Sequence, residues 1–103
     1  MYTIAVTGAT GFVGNFVANY LELLGCKVFR FGRKDRGNTI HWDITSGIYK
    51  NDLPIDCVVH CAAYVDDWAP YNKSYSVNVV GTRNVIQSFP KASKFIYISS
   101  ASI

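Results

Sequence analysis

The sequence predicts an α/β fold, a doubly wound parallel sheet of about five strands in the order 3-2-1-4-5. Three observations carry that expectation. Short β-rich runs alternate with helical patterns along the whole chain. The first run ends on a glycine-rich turn that opens directly into a helix. Cys57-Val58-Val59-His60-Cys61-Ala62-Ala63 is nearly continuous in apolar residues, as a central strand covered on both faces must be.

Taken in order, Tyr2-Thr3-Ile4-Ala5-Val6 is the first strand, ending at Thr7-Gly8. The helix after it carries Phe12, Val13, Phe16, Val17, Tyr20, Leu21 and Leu24, which read as one inward stripe. Gly25 supplies the left-handed residue that ends such a helix, and Lys27-Val28-Phe29-Arg30-Phe31 resumes as the second strand. A packed helix between neighbouring strands makes them parallel and the crossover right-handed. After a polar turn at Asp35-Arg36-Gly37-Asn38, Thr39 to Ile44 is the third strand. Only eleven residues, Thr45 to Ile55, separate it from the next, near the minimum for a crossover. The fourth strand is the apolar run above. From Ser74 to Ser88, Val77, Val80, Val85 and Ile86, with Phe89 beyond, suit an amphipathic helix stopped by Pro90, and Phe95-Ile96-Tyr97-Ile98 is the fifth strand.

The 103 residues allow one domain, and with half of them apolar and 17% charged the chain buries a core, which excludes a disordered reading. Ten Lys and Arg against seven Asp and Glu give +3 without clustering, so neither nucleic acid nor a membrane is an expected partner. No apolar run approaches the roughly 18 residues of a membrane span, and a soluble, cytoplasmic protein is expected. Cys26, Cys57 and Cys61 have no metal-knuckle spacing, and along a strand Cys57 and Cys61 stand about 13 Å apart, too far to bridge. Free thiols and no metal site are the expectation.

The chemistry concentrates in Thr7-Gly8-Ala9-Thr10-Gly11-Phe12-Val13-Gly14, placed between a strand and a helix. Gly8 permits the tight turn, Gly11 lets the backbone approach a pyrophosphate, and Gly14 allows close helix–strand packing. The first helical N–H groups and the positive end of the helix dipole then face the phosphates. Surface turns also use glycine, but here strand and helix flank the triplet as nucleotide binding requires.

This spacing resembles the T-G-x-x-G-x-x-G of the extended short-chain dehydrogenase/reductase superfamily, the epimerase/dehydratase group. Asp43-Ile44 is similar to that family's adenine-flanking pair, and the segment from Asp56 to Ala63 to its D-x-V-x-H-x-A-A strand. Asn78-Val79-Val80-Gly81-Thr82-Arg83-Asn84-Val85 resembles its N-V-x-G-T-x-N-V helix, and Tyr97 to Ile103 the strand ending in S-S-x-x-V-Y-G. Val65-Asp66-Asp67-Trp68-Ala69-Pro70-Tyr71 is a looser match to members near the sterol-dehydrogenase branch. The resemblance covers the whole chain. It implies a Rossmann-like NAD(P)-binding domain, residues 1–103 being its N-terminal part. The sheet is truncated before the later strands, and the C-terminal substrate domain of a protein of roughly 300 residues is absent.

It further implies that Thr7, Gly8, Thr10, Gly11, Phe12, Val13 and Gly14 hold the cofactor, with Asp43 on the adenine amino edge and Ile44 on its ring face. Ala62 and Ala63 lie against ribose and nicotinamide. Ser100 takes the catalytic serine position and Asn78 that of the asparagine in the proton relay. At the end of the second strand, Gly32 stands where NAD-using members carry an acid, and Arg33, Lys34 and Arg36 follow. A cation there accommodates a 2′-phosphate, so NADP is favoured over NAD, with Arg33 the primary contact and Lys34 or Arg36 as helpers. An ordinary solvated basic turn is the competing reading. His60, inside an apolar strand, reads as a satisfied core histidine, and Asp66-Asp67 as a solvated loop.

The family's Tyr-x-x-x-Lys pair is missing, since none of the seven tyrosines has a lysine four residues later. The expected function is the NAD(P)-binding N-terminal part of an epimerase, dehydratase or dehydrogenase, inactive alone, which meets a small-molecule substrate only in a full-length form. The alternative is a non-catalytic nucleotide-binding module that senses redox state or binds a partner. An unpaired fifth strand makes a homo-oligomer an option.

Overall fold

The computed structural model describes residues 2–33, 37–61 and 76–98. Strand β1 (Thr3–Thr7) leads through the glycine turn to α1 (Phe12–Leu23), and β2 (Lys27–Gly32) and β3 (Thr39–His41) follow. After β4 (Cys57–His60), a π-helical stretch, Ser76–Gly81, runs into α2 (Thr82–Ser88), and β5 (Lys94–Tyr97) closes the described chain. The five strands form one sheet in the order β3-β2-β1-β4-β5 with every pairing parallel, as the alternating pattern predicts. Thr7 pairs with Phe31 on one side and His60 on the other, and His60 with Tyr97, so the strands' C-terminal ends share one rim. The order reverses between β1 and β4, and ligands of such sheets bind in the crevice outside the strand ends at that switch.

Each face of the sheet carries its own core. Ile4, Val6, Cys57 and Val59 pack with Ala9 and Ala18 on the α1 side, while Ala5, Phe31 and Val58 pack with Trp42, Ile44, Ile55, Val85 and Phe89 on the other. On that second face the short β3–β4 connection carries no helix and packs through aromatic rings. Tyr49 meets Phe31 at 5.3 Å between centroids and Trp42 at 5.5 Å, and Phe89 meets Phe31 at 5.6 Å. Ser88 fixes the connection to α2, its hydroxyl accepting from Tyr49 N at 2.9 Å and its carbonyl from Asn51 Nδ2 at 3.0 Å.

Three expectations need correction. The inward face of α1 is not the full apolar stripe: Gly14 and Ala18 are its buried residues, with Val17 and Leu21 half-buried beside them. Phe12 is 91% exposed and Phe16 66%, and Tyr20 and Leu24 also face out. At 3.6 residues per turn Phe12 and Phe16 stand about half a turn from Gly14, and the small residues win the inner face because they let the helix lie close on the sheet. Strand β3 stops at His41 rather than Ile44, because the Asp43 carboxylate turns the chain by accepting from Thr45 N at 3.0 Å and Thr45 Oγ1 at 2.7 Å. Of the helix expected from Ser74, the described part is π-helical over Ser76–Gly81 before α2 begins, and its Ile86 is exposed because Val85, Ser88 and Phe89 occupy the inward positions.

Candidate functional site

Gly8 leaves β1 with φ +67°, a conformation glycine adopts without strain, and Gly11 N donates back to Gly8 O at 3.0 Å to close the turn. Ala9 N donates to Phe31 O at 2.9 Å, which ties the loop to β2. A Cβ at Gly14 would fall inside the Gly8 carbonyl and 3.0 Å from Ala9 Cα, so only glycine allows α1 to start this close beneath the loop. Gly11 is the N-cap of α1 and offers no side-chain acceptor, nor is there an acidic residue in the first turn. The first helical hydrogen bond is Asn15 N to Gly11 O, at 2.9 Å. The N–H groups of Phe12, Val13 and Gly14 precede it and have no backbone acceptor among the described residues, so the helix start presents donors and a positive dipole end beside an exposed Gly11. Phe12 and Val13 thus contribute backbone there, while their side chains face out.

The neighbouring strand ends frame this loop. A Cβ at Gly32 would meet Thr10 Cγ2 and Oγ1 at 3.0 Å and Thr39 Cγ2 at 3.3 Å, so the end of β2 has room for little more than glycine. Arg33 is exposed just beyond. Asp43 is held below the usual carboxylate range by the Thr45 hydroxyl first and the Thr45 N–H second, with Arg33 and His41 adding a smaller positive influence. Its Oδ1 accepts both bonds from Thr45. Ile44 is only 5% exposed, and its side chain packs so tightly on Gly81 that a Cβ there would lie 2.6 Å from Ile44 Cδ1. Lys34, Arg36, Ala62, Ala63, Asp66, Asp67 and Ser100 lie outside the described residues, and Asn78 falls in the π-helical stretch.

Thr7 is fully buried, and its hydroxyl supports the loop from beneath. It is hydrogen-bonded to His60 Nδ1 at 2.6 Å and accepts from Cys61 N at 3.2 Å, while His60 Nε2 is hydrogen-bonded to Thr82 Oγ1 at 3.0 Å. His60 is therefore the satisfied core histidine its sequence context predicts, joining the ends of β1 and β4 to the start of α2. Burial disfavours the imidazolium and pushes its pKa from 6.5 to about 4. Between those values the unfolded chain binds a proton that the folded chain refuses, so the stabilisation is complete above pH 6.5 and is lost as pH falls toward 4. Urea unfolding is expected to show about 2–3 kcal/mol less stability at about pH 4.5 than at pH 7, a difference that His60→Gln removes. The corresponding loss from Asp43 lies lower, below its unfolded value of 3.8. Burial also pushes the Cys61 thiol up to about 11 and raises Cys57, so neither is a nucleophile at neutral pH.

Arg30 is the residue that sequence reasoning missed. It sits in β2 on the α1 side, 6% exposed, and its guanidinium donates to Asn15 Oδ1 at 3.3 Å, Asn19 Oδ1 at 2.7 Å and Glu22 Oε1 at 2.5 Å. It lines a cavity of about 370 Å³ that reaches from the glycine loop at Thr10 and Gly11 to Asn38 and Thr39. The signal was present as three polar residues on one side of α1, at positions 15, 19 and 22, facing a cation within an otherwise apolar strand. Among the described residues no cluster of three metal-ligating side chains occurs, and no helix is long and apolar enough to cross a membrane.

Known proteins share this family and fold. Residues 4–103 match the NAD dependent epimerase/dehydratase family. The chain is 33% identical to a 3-beta-hydroxysteroid dehydrogenase of Mycolicibacterium neoaurum over 97% of its own length and 32% of that protein's, so it spans about a third of this relative. Among solved structures it resembles a short-chain dehydrogenase/reductase superfamily protein of Agrobacterium tumefaciens with bound NAD, with a TM-score of 0.76, 26% identity, and coverage of 96% of this chain and 33% of that one. It also resembles the Bordetella bronchiseptica enzyme WbmH in complex with NAD+, with a TM-score of 0.71, 28% identity, and coverage of 94% and 38%. With nearly the whole chain matched and the glycine loop in place between β1 and α1, the chain belongs to the NAD dependent epimerase/dehydratase family.

Proposed function

We propose that this chain forms the nicotinamide-dinucleotide-binding part of an enzyme of the extended short-chain type, an epimerase, dehydratase or dehydrogenase, and that it prefers NADP. The observation that carries the reading is the glycine loop. Gly8 turns it, Gly14 lets α1 start against it, and Gly11 leaves free helical N–H groups open to an anion. Those features fit a pyrophosphate, and the two relatives solved with NAD or NAD+ support the same cofactor class. When bound, the nicotinamide ring supplies the hydride acceptor or donor. By their match to the family's motifs, Asp43 would take the adenine amino edge, Ile44 the ring face, and Ala62 and Ala63 the ribose and nicotinamide. Ser100 aligns a substrate oxygen and Asn78 serves the proton relay. These roles rest on the match of each residue to the family's motifs.

The preference for NADP rests on the end of β2, where Gly32 withholds a carboxylate and exposed Arg33 offers a cation. Calorimetric titration of the purified chain tests both statements. NADP is expected to bind more tightly than NAD, and Arg33→Ala to cost about 1.5–3 kcal/mol for NADP and little for NAD. A tighter NAD complex overturns the preference, and failure to bind either nucleotide overturns the reading as a whole. The chain alone is expected to give no turnover in the 340 nm nicotinamide assay. It has no tyrosine–lysine pair to move the carbinol proton, and such help is worth typically 10²–10⁴-fold.

A further inference from the structure

Helix α1, with its C-cap Leu24, presents three faces. At about 100° per residue, Gly14, Val17, Ala18 and Leu21 turn to the sheet, and Asn15, Asn19 and Glu22 turn to Arg30 of β2. The remaining arc, about 120° wide, holds Phe12, Val13, Phe16, Tyr20, Leu23 and Leu24, all between 39% and 91% exposed. A helix face turned to solvent normally carries charged and polar side chains. This one has only the Tyr20 hydroxyl.

Area and charge indicate what covers it. The six side chains expose about 700 Å², more than the roughly 300–600 Å² of the largest apolar patch on an ordinary monomer. That is close to the roughly 800 Å² that each partner gives to a standard interface, and about a tenth of the chain's surface of 6488 Å². Between Phe12 and Leu24 the only charge is Glu22, which Arg30 engages away from the arc. A membrane surface is a poor occupant, because an interfacial helix flanks its apolar face with lysine and arginine. A partner recognised by charge finds nothing to read. A second copy fits. Two α1 helices related by a twofold axis run antiparallel, which sets the i, i+4 ridge of Phe12, Phe16, Tyr20 and Leu24 against itself with no like charges opposed and with the helix dipoles in opposite directions.

We infer that this outer face of α1 is the interface of a homodimer, with a second copy of the chain seated antiparallel on it. The inference does not depend on nucleotide binding. The N–H groups at the helix start point along its axis, and the polar arc beside the glycine loop stays outside the contact. Without charged anchors the dimer is weak, with a dissociation constant of about 10–50 µM. At a few micromolar the chain is mainly monomeric, so unfolding followed there reports on the fold alone.

Sedimentation of the purified chain from about 1 to about 200 µM is expected to pass from monomer to dimer. Phe16→Glu and, separately, Tyr20→Lys place a charge in the contact twice, once from each copy. Each is expected to raise the dissociation constant at least about 30-fold, while circular dichroism at low concentration shows the same folded chain. Ile96→Lys, on the exposed edge strand β5, is expected to leave the dimer intact. A chain that stays monomeric at about 200 µM overturns the inference and leaves the face to another segment or a different partner. A dimer that survives both α1 substitutions overturns it too, and one that Ile96→Lys dissociates while they do not places the contact on the β5 edge instead.

Discussion

Gly14→Ala is expected to destabilise the protein by about 3 kcal/mol, although alanine is the better helix former by about 1 kcal/mol. The new Cβ has nowhere to go. Its nearest neighbours are the Gly8 carbonyl and Ala9 Cα, both backbone, in a loop already tied to β2 by the hydrogen bond from Ala9 N to Phe31 O. Relief therefore requires α1 to lift off the sheet, which would draw Ala18, Val17 and Leu21 away from Ile4, Val6, Cys57 and Val59. For a domain of this size such a loss lowers the melting temperature by about 12–24 °C. Thermal and urea unfolding followed by far-ultraviolet circular dichroism measure it, with Leu23→Ala, at an 84% exposed position of the same helix, as the control expected to be neutral or slightly stabilising. A stabilised Gly14→Ala protein would mean that α1 and the loop are not in contact.

That contact also explains what the sequence disclosed and what it hid. Strand order was legible because parallel connections leave few alternatives once βαβ alternation and the central apolar run of β4 are recognised. The inward face of α1 was not legible from hydrophobicity. Phe12, Phe16 and Tyr20 outweigh Gly14 and Ala18 in any apolar count, yet close approach selects the small side chains. The end of β3 was hidden for a different reason: Asp43 serves its own turn through Thr45, a local hydrogen bond that competes with the strand ladder. Similarly, the glycine loop was legible because it needs particular residue types at fixed spacing. Arg30 was not, because its role depends on three polar side chains of α1 that reach it across the βα interface.

Gly11→Val is expected to give the opposite signature to Gly14→Ala, a folded protein that has lost its nucleotide. Gly11 sits at φ −81° and ψ 171°, extended backbone that a β-branched residue adopts freely. A Cβ there meets only Gly8 O, at 3.4 Å, an ordinary contact, and the position is exposed, so the cost is that of a poorer N-cap, about 1 kcal/mol, and the protein stays folded. The valine methyls, however, stand at the start of α1 beside the N–H groups that a pyrophosphate must reach. Holding the phosphates off by a methyl's width removes charge-assisted hydrogen bonds worth roughly 1.5–3 kcal/mol each, so the loss of two such bonds weakens binding by at least about 100-fold. Calorimetry with NADP and NAD should register the loss for both nucleotides alike, since both carry the pyrophosphate, whereas Arg33→Ala is expected to separate them. Unchanged affinity in a folded Gly11→Val protein would take the loop out of the site, and with it the observation on which the functional reading stands.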